Sequence, residues 1–121
     1  KEVAERIISP PGSKKYGILS VLIQAYYDTS YLFTVHENVF YPPPKVKSAV
    51  ISLKAKSQRT DIKDEKLFFR LVKTAFNQRR KTLRNSLKGN FPKFKDLESE
   101  LLSKRPEQLS YEEFIRLSEL L

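Results

Sequence analysis

Five cations, Arg79, Arg80, Lys81, Arg84 and Lys88, stand close together among the amides Asn77, Gln78 and Asn85. Lysine and arginine at that density neutralise phosphates, and neighbouring amides reach base or ribose edges, so the stretch has the chemistry of a nucleic-acid contact. The competing reading is a solvated charged face. A second stretch, Phe40-Tyr41-Pro42-Pro43-Pro44-Lys45, presents two aromatic rings on a stiff mount. Each proline fixes φ near about −65°, lacks an N–H and restrains its predecessor to extended geometry. Tyr41 to Pro44 therefore follow a polyproline-like path with little freedom to lose on binding, or form a connector whose aromatics cap a small core.

The rest of the composition narrows the chemistry. Lys and Arg number 23 against 14 Asp and Glu, a formal net charge of +9. That surplus, with a pI near 9.8, favours a polyanionic partner, nucleic acid first. An anionic membrane fits the sign, but no apolar run approaches the ~20 residues that span a bilayer, and no segment resembles a signal peptide. The chain contains no cysteine, hence no disulfide framework and no thiolate metal site, which is compatible with a cytoplasmic setting. His36 is the single histidine, so a multi-histidine metal centre is impossible, and its place beside a β-rich run makes it a half-exposed strand residue. No nucleophile–base–acid set is present. Gly12, Gly17 and Gly89 are isolated, which rules out a Gly-x-Gly cofactor loop. The chain supplies recognition more than catalysis.

Helices and strands must position these groups. Lys1 to Ile8 reads as a short helix stopped at Pro10, and Ser9 to Lys15 as a loop. Tyr16 to Tyr27 places Ile18, Leu19, Leu22, Ile23 and Tyr26 on one helical face, with Ser20 and Gln24 off it. Tyr31 to Val35 and Ala49 to Ala55 are β-rich and can pair antiparallel across the proline loop, whose span from about His36 to Ser48 exceeds a tight turn. One edge of that pair is expected to lack a neighbour, leaving it open to self-association. Lys56 to Asp64 is a polar linker, and Asp64 can cap the next helix. Phe68, Leu71, Val72, Ala75 and Phe76 then form an apolar stripe. Continued to Lys88, that helix would carry a cationic face but would put Arg79 among apolar residues. Either the helix breaks near Asn77-Gln78, the favoured reading, or Arg79 pairs at a domain boundary. Gly89 to Pro92 stops the element; Phe94 to Ser103 outlines a helix, and Ser110-Tyr111-Glu112-Glu113 fits a capping box.

The motif Phe40-x-Pro42-x-Pro44-x-Val46-x-Ser48-x-Val50 resembles that of the ribosomal RNA small-subunit adenine dimethyltransferase family. Lys1 to Ile7, Tyr16 to Val21 with Gln24, Ala75 to Asn85 and Arg105 to Ser110 are similar to the same family in the same order. Lys47 departs from the pattern, standing where many members carry an acid before the serine, which leaves any role of that acid unsupported. The resemblance covers the C-terminal portion of the family. It implies an α/β fold that is α+β as a fragment. Residues 1–60 form the C-terminal end of a Rossmann-like methyltransferase sheet, a helix plus an antiparallel strand pair. Residues 61–121 follow as a small helical RNA-binding domain. It implies dimethylation at N6 of adenines in small-subunit (16S) ribosomal RNA during ribosome biogenesis in the cytoplasm. S-adenosylmethionine would be bound by an N-terminal half that this stretch lacks, no metal is implied, and the piece alone is expected to be inactive. Phe40 would stack on the target adenine, Pro42 and Pro44 would hold the ring, Lys45 would touch a phosphate, and Asn77, Arg79, Arg80, Lys81, Arg84 and Lys88 would bind RNA. The same resemblance makes the Ser9–Lys15 loop a neighbour of the active site and gives its lysines an RNA contact. The rival readings are a non-enzymatic RNA-binding or ribosome-assembly module and a duplex-DNA-binding factor on the same fold.

Overall fold

Two polar side chains settle how the N-terminal helices pack. The structure, a computed structural model, describes residues 2–35, 48–56 and 62–121. Helix α1 (Glu2–Ile8) ends before Pro10, and helix α2 (Ile18–Tyr26) follows a loop. Ser20 Oγ donates to the Arg6 carbonyl, and Gln24 Nε2 donates to the carbonyls of Ile7 at 2.8 Å and Ser9 at 2.9 Å. These bonds satisfy carbonyls at the end of α1 that have no partner within the helix. The buried side of α2 is consequently rotated from the expected one. Ser20, Val21 and Ala25 are buried, whereas Leu19 and Tyr26, expected on the apolar face, are 42% and 36% exposed. Apolar spacing alone does not register a serine and a glutamine used as ties between helices.

With no loop between, α2 passes into strand β1 (Tyr27–Val35), so the strand begins earlier than the expected Tyr31–Val35 run, and Tyr27 is a strand residue. Its antiparallel partner is β2 (Ser48–Ala55), with Tyr27 opposite Ala55 and Val35 opposite Ser48. A bulge between Tyr31 and Phe33 shifts the register at Leu32. Among the described residues the sheet has these two strands alone, and Leu32, Phe33 and Leu53 are exposed. The proline loop with Phe40, Pro42, Pro44, Lys45 and Lys47, together with His36, lies outside the described residues, as do positions 57–61 of the polar linker. Where β2 ends, Lys56 Nζ donates to Asp28 Oδ1 at 3.0 Å and to the Tyr111 hydroxyl at 3.1 Å. Burial opposes its charge, but those two bonds outweigh it and raise its pKa. The strand pair is thereby fastened to the C-terminal helix.

Helix α3 (Glu65–Asn77) starts where Asp64 Oδ1 accepts the Leu67 N–H at 3.0 Å. Its expected stripe faces the core: Phe68, Leu71, Val72 and Ala75 are buried, and Phe76 is half-buried against them. Gln78 leaves the helical region at φ −129°, ψ 65°, giving the expected break, and a short helix α4 (Leu83–Leu87) follows with Leu83 and Leu87 fully buried. The helix expected from Phe94 to Ser103 is instead two 3₁₀ turns, Pro92–Lys95 and Glu100–Ser103. Pro92 opens the first, and Ser99 Oγ caps the second by accepting the Leu101 N–H at 3.3 Å. The break lets Phe94 and Leu102, which one helix would fix in relative position, enter the core independently; both are fully buried. Helix α5 (Tyr111–Glu119) has the expected capping box: Ser110 Oγ accepts the Glu113 N–H at 3.2 Å, and Glu113 Oε1 accepts the Ser110 N–H at 3.1 Å.

One apolar cluster joins Tyr16, Val21 and Ala25 to Phe68, Leu71, Leu83, Phe94, Phe114 and their neighbours, drawing on both sides of residue 60. Its polar anchor is Tyr16, whose hydroxyl donates to the Leu109 carbonyl at 2.6 Å and whose ring meets Phe76 edge-on at 6.1 Å. Burial, and then the Glu113 carboxylate, raise the Tyr16 pKa well above its ordinary 10.0. The folded chain thus holds a proton that the unfolded chain releases near pH 10, so stability from this group is complete below that pH and declines as pH rises past it. Tyr16→Phe should cost about 1–3 kcal/mol at pH 8 by leaving a buried carbonyl unpaired. Urea midpoints compared at pH 8 and pH 11 should also show a smaller alkaline loss in the variant than in the wild type. An equal alkaline loss in both would mean that Tyr16 is not the group responsible.

Candidate nucleic-acid interface

Because α3 stops at Asn77, the basic residues that follow do not share one helix. Residues 78–81 form a turn closed by the Lys81 N–H donating to the Gln78 carbonyl at 3.0 Å, and α4 is anchored where the Leu83 N–H donates to the Lys104 carbonyl at 2.8 Å. With Leu83 and Leu87 directed inward, the cations divide into two groups.

Arg79 and Arg84 spend donors within the chain. Arg79 Nη2 donates to the carbonyls of Ser13 at 3.3 Å and Lys14 at 3.1 Å, and its guanidinium lies 5.8 Å from the centroid of the Phe76 ring. The helix therefore breaks as favoured, and Arg79 in addition pairs with carbonyls of a segment distant in sequence. Arg84 Nη1 donates to the carbonyls of Phe94 at 2.8 Å and Lys95 at 3.0 Å, closing the end of a 3₁₀ turn. A planar guanidinium with five donors is suited to bridging adjacent carbonyls in this way. Asn77, Arg80, Lys81 and Lys88 are exposed, and Lys73 adds to them from the outer side of α3. Arg70, also exposed, places its guanidinium 5.1 Å from the centroid of the Phe91 ring.

Arg79 also lines a cleft that sequence spacing does not disclose. A cavity of about 340 Å³ opens between the end of α1, the Ser9–Gly17 loop, the start of α2 and the α3–α4 turn, with Arg6, Lys14, Lys15 and Arg79 in its wall. Lys14-Lys15 was legible as a basic pair in a loop, but Arg6, in an ordinary i, i+4 ion pair with Glu2 at 2.9 Å, gave no sign of belonging with it. A second, larger cavity of about 530 Å³ is apolar, formed by Leu22, Ile23, Tyr26, Tyr27, Phe68 and Phe69 with Glu65 and Lys66 at its margin. Burial, and then the Glu65 carboxylate, raise the Tyr26 pKa there. Charge makes the smaller cleft the relevant one for an anionic partner. Among the described residues, no group of three or more His, Cys, Asp or Glu is placed to hold a metal, and no helix is long and apolar enough to cross a membrane. Phe40, Pro42, Pro44 and Lys45 lie outside the described residues.

Comparison with known proteins agrees with this architecture. The model of the ribosomal RNA adenine dimethylase family matches residues 1–121. The ribosomal RNA small subunit methyltransferase A of Flavobacterium johnsoniae is 63% identical over 119 residues, covering 98% of this chain and 46% of that protein. The protein of the same name from Bacteroides thetaiotaomicron is 64% identical, over 98% of this chain and 45% of its own length. This chain thus spans less than half the length of these curated relatives. In fold it is similar to a crystal structure of a dimethyladenosine transferase from Plasmodium falciparum, with a TM-score of 0.80 at 22% identity over 97% of this chain and 52% of that one. The 23S rRNA methyltransferase ErmE aligns with a TM-score of 0.58 at 18% identity, over 98% of this chain and 51% of that one.

The two groups of cations should separate experimentally. Arg84→Ala should lower stability by roughly 1–2 kcal/mol, the modest end for charge-assisted bonds because the side chain is half-buried, and leave the salt dependence of RNA binding unchanged. Arg80→Ala with Lys81→Ala should keep stability within about 0.5 kcal/mol and reduce the salt slope by about 0.7–0.9 for each phosphate that is no longer neutralised. Thermal melts and fluorescence anisotropy over a salt series read both; a salt slope that moves with Arg84 instead would reverse the assignment.

Proposed function

The chain belongs to the ribosomal RNA adenine dimethylase family, and from that premise we propose that it is the C-terminal part of an enzyme that dimethylates N6 of adenines in small-subunit ribosomal RNA. Residues 1–60 complete the catalytic domain and residues 61–121 form a helical RNA-binding region, acting in the cytoplasm where the small ribosomal subunit is assembled. The observation that carries the reading is the order of motifs along the whole chain, from Tyr16-Gly17 through Phe40 to Ser48, then Asn77 to Asn85 and Arg105 to Ser110. The exposed cations Arg80, Lys81 and Lys88, with Asn77 beside them, support an RNA-facing surface.

The methyl donor of such an enzyme is S-adenosylmethionine, and the described residues do not fit it. Gly12, Gly17 and Gly89 are isolated in the sequence, and among the described residues no glycine-rich turn joins a strand to a helix. Its site is assigned to sequence outside this chain, and the residues here serve the RNA. Phe40 stacks on the extruded target adenine, Pro42 and Pro44 keep the ring in place, and Lys45 meets a phosphate of the same strand. A base extruded from its helix gives up stacking with its neighbours, which an aromatic side chain replaces at about 1–3 kcal/mol per base. Loss of that stack disorders the target amine, so it appears in turnover more than in binding of the whole particle.

In the full-length protein, Phe40→Ala should reduce methyl transfer to small-subunit particles by about 5- to 150-fold, the equivalent of one stack, while particle affinity changes little. Filter binding and transfer of labelled methyl groups measure the two effects. Wild-type turnover would remove Phe40 from the pocket, and absence of methyl transfer by the wild type would favour the reading of a non-enzymatic RNA-binding module.

A further inference from the structure

The strand pair enters and leaves the rest of the chain in different ways. β1 continues from α2 without a loop, so its start is fixed by a helix that lies in the core, whereas β2 runs out at Ala55. Lys56 stands at that exit. Its N–H donates to the Tyr26 carbonyl at 3.2 Å, closing the base of the pair, and its ammonium donates to Asp28 Oδ1 on β1 at 3.0 Å and to the Tyr111 hydroxyl at 3.1 Å. The same ammonium lies 4.7 Å from the centroid of the Tyr111 ring, a cation–π contact. The lysine side chain is 17% exposed against 69% for Asp28, so water competes for the acid and little for the lysine. Tyr111 is the first residue of α5, set in place by the Ser110 capping box and by Phe114, Ile115 and Leu117 in the core. One side chain thus joins both strands to a fixed helix end from beyond residue 60.

Its place at the base gives that contact leverage. A strand rises about 3.3 Å per residue, so Val35 lies about 26 Å from Tyr27, and a tilt of about 5° at the base moves the far end by about 2 Å. Resting on the methyl-transfer reading above, which assigns the target adenine to Phe40, between β1 and β2 in sequence, and the RNA to the region beyond residue 60, we propose that Lys56 is a positioning residue for the reaction. It fixes the strand pair against α5, so that RNA held by the helical region delivers its adenine to the reacting centre. Lys56 touches neither RNA nor methyl donor in this role and acts through Asp28 and Tyr111.

Lys56→Met keeps the apolar stem and removes the ammonium. In the full-length protein it should lower kcat for methyl transfer by about 10- to 100-fold, the cost of reacting atoms misplaced by about 1 Å, and leave particle affinity unchanged. Lys56→Arg, whose forked guanidinium can serve both oxygens and the ring, should restore most of the rate. Tyr111→Phe, which keeps the ring and loses the hydroxyl, should fall between. Equal loss of rate and affinity in Lys56→Met would mean that the lysine serves folding alone, and an unchanged kcat would overturn the proposal outright. Orientation is read without activity in this chain, which has no native cysteine. Nitroxides on Leu32→Cys at the bulge and Lys93→Cys after α4, both exposed, report one distance by pulsed EPR. That distance should be narrow in the wild type and broad in Lys56→Met; the same distribution in both overturns the tie. If it broadens while the full-length wild type transfers no methyl group, the tie stands and the methyl-transfer reading falls.

Discussion

The hydrogen bond from the Tyr16 hydroxyl to the Leu109 carbonyl, made inside a fully buried cluster, ties the start of α2 to the turn that precedes α5. A buried phenol without a partner is costly, so the ring can occupy the core only when the Pro106–Gln108 turn brings that carbonyl to it. The same turn accepts the Gly12 N–H at the Glu107 carbonyl, at 2.6 Å, which fastens the loop before Tyr16 as well. With the loop fixed at both places, the carbonyls of Ser13 and Lys14 stand where Arg79 can bridge them. The cationic cleft is therefore a consequence of core packing, and its geometry is set by residues that never touch its contents.

Division of labour among the cations follows from the same packing. A continuous basic helix would present Arg80 and Arg84 on one cationic face and set Arg79 among apolar residues, but the break after Asn77 turns the chain so that Arg79 and Arg84 face carbonyls of other segments. Each bridges two carbonyls, which a lysine, with one nitrogen on a flexible stem, does less well. The lysines and Arg80 keep their charge toward water, where phosphate can reach it. A basic run that looks uniform in sequence thus contains both structural clamps and cations left exposed to solvent, and only the packing of the carbonyls distinguishes them.

Where local rules acted alone, the sequence was readable. The stripe Phe68, Leu71, Val72 and Ala75, the caps at Asp64 and Ser110, and the antiparallel pairing of the two β-rich runs all depend on short spacings that favour one structure. The awkward position of Arg79 on a continued helix correctly indicated a break. Reading failed where distant partners decided. Spacing sets Ser20 and Gln24 off the packed face of α2 because it does not see their acceptors at and just after the end of α1, and sets Leu19 on it because it counts apolar residues without their surroundings. Phe94 to Ser103 had apolar residues enough for a helix, but Pro92 and the Ser99 cap divided it. Of the candidate site, the exposed cations are legible as composition. The cleft is not, since Arg6 and Arg79 are 73 positions apart in the sequence and only the fold brings them together.

If one core assembles the cleft, α2 and α3 must unfold together although residue 60 separates them in sequence. Native-state hydrogen exchange across a denaturant series tests this most directly. A shared core predicts that the amides of Val21 and Ala25 open with the same free energy and the same denaturant dependence as those of Leu71 and Val72. Loss of protection in α2 at lower denaturant, with α3 and α5 still fully protected, would contradict it: the helical region would then stand alone, and the cleft would be a seam between two independently folding parts.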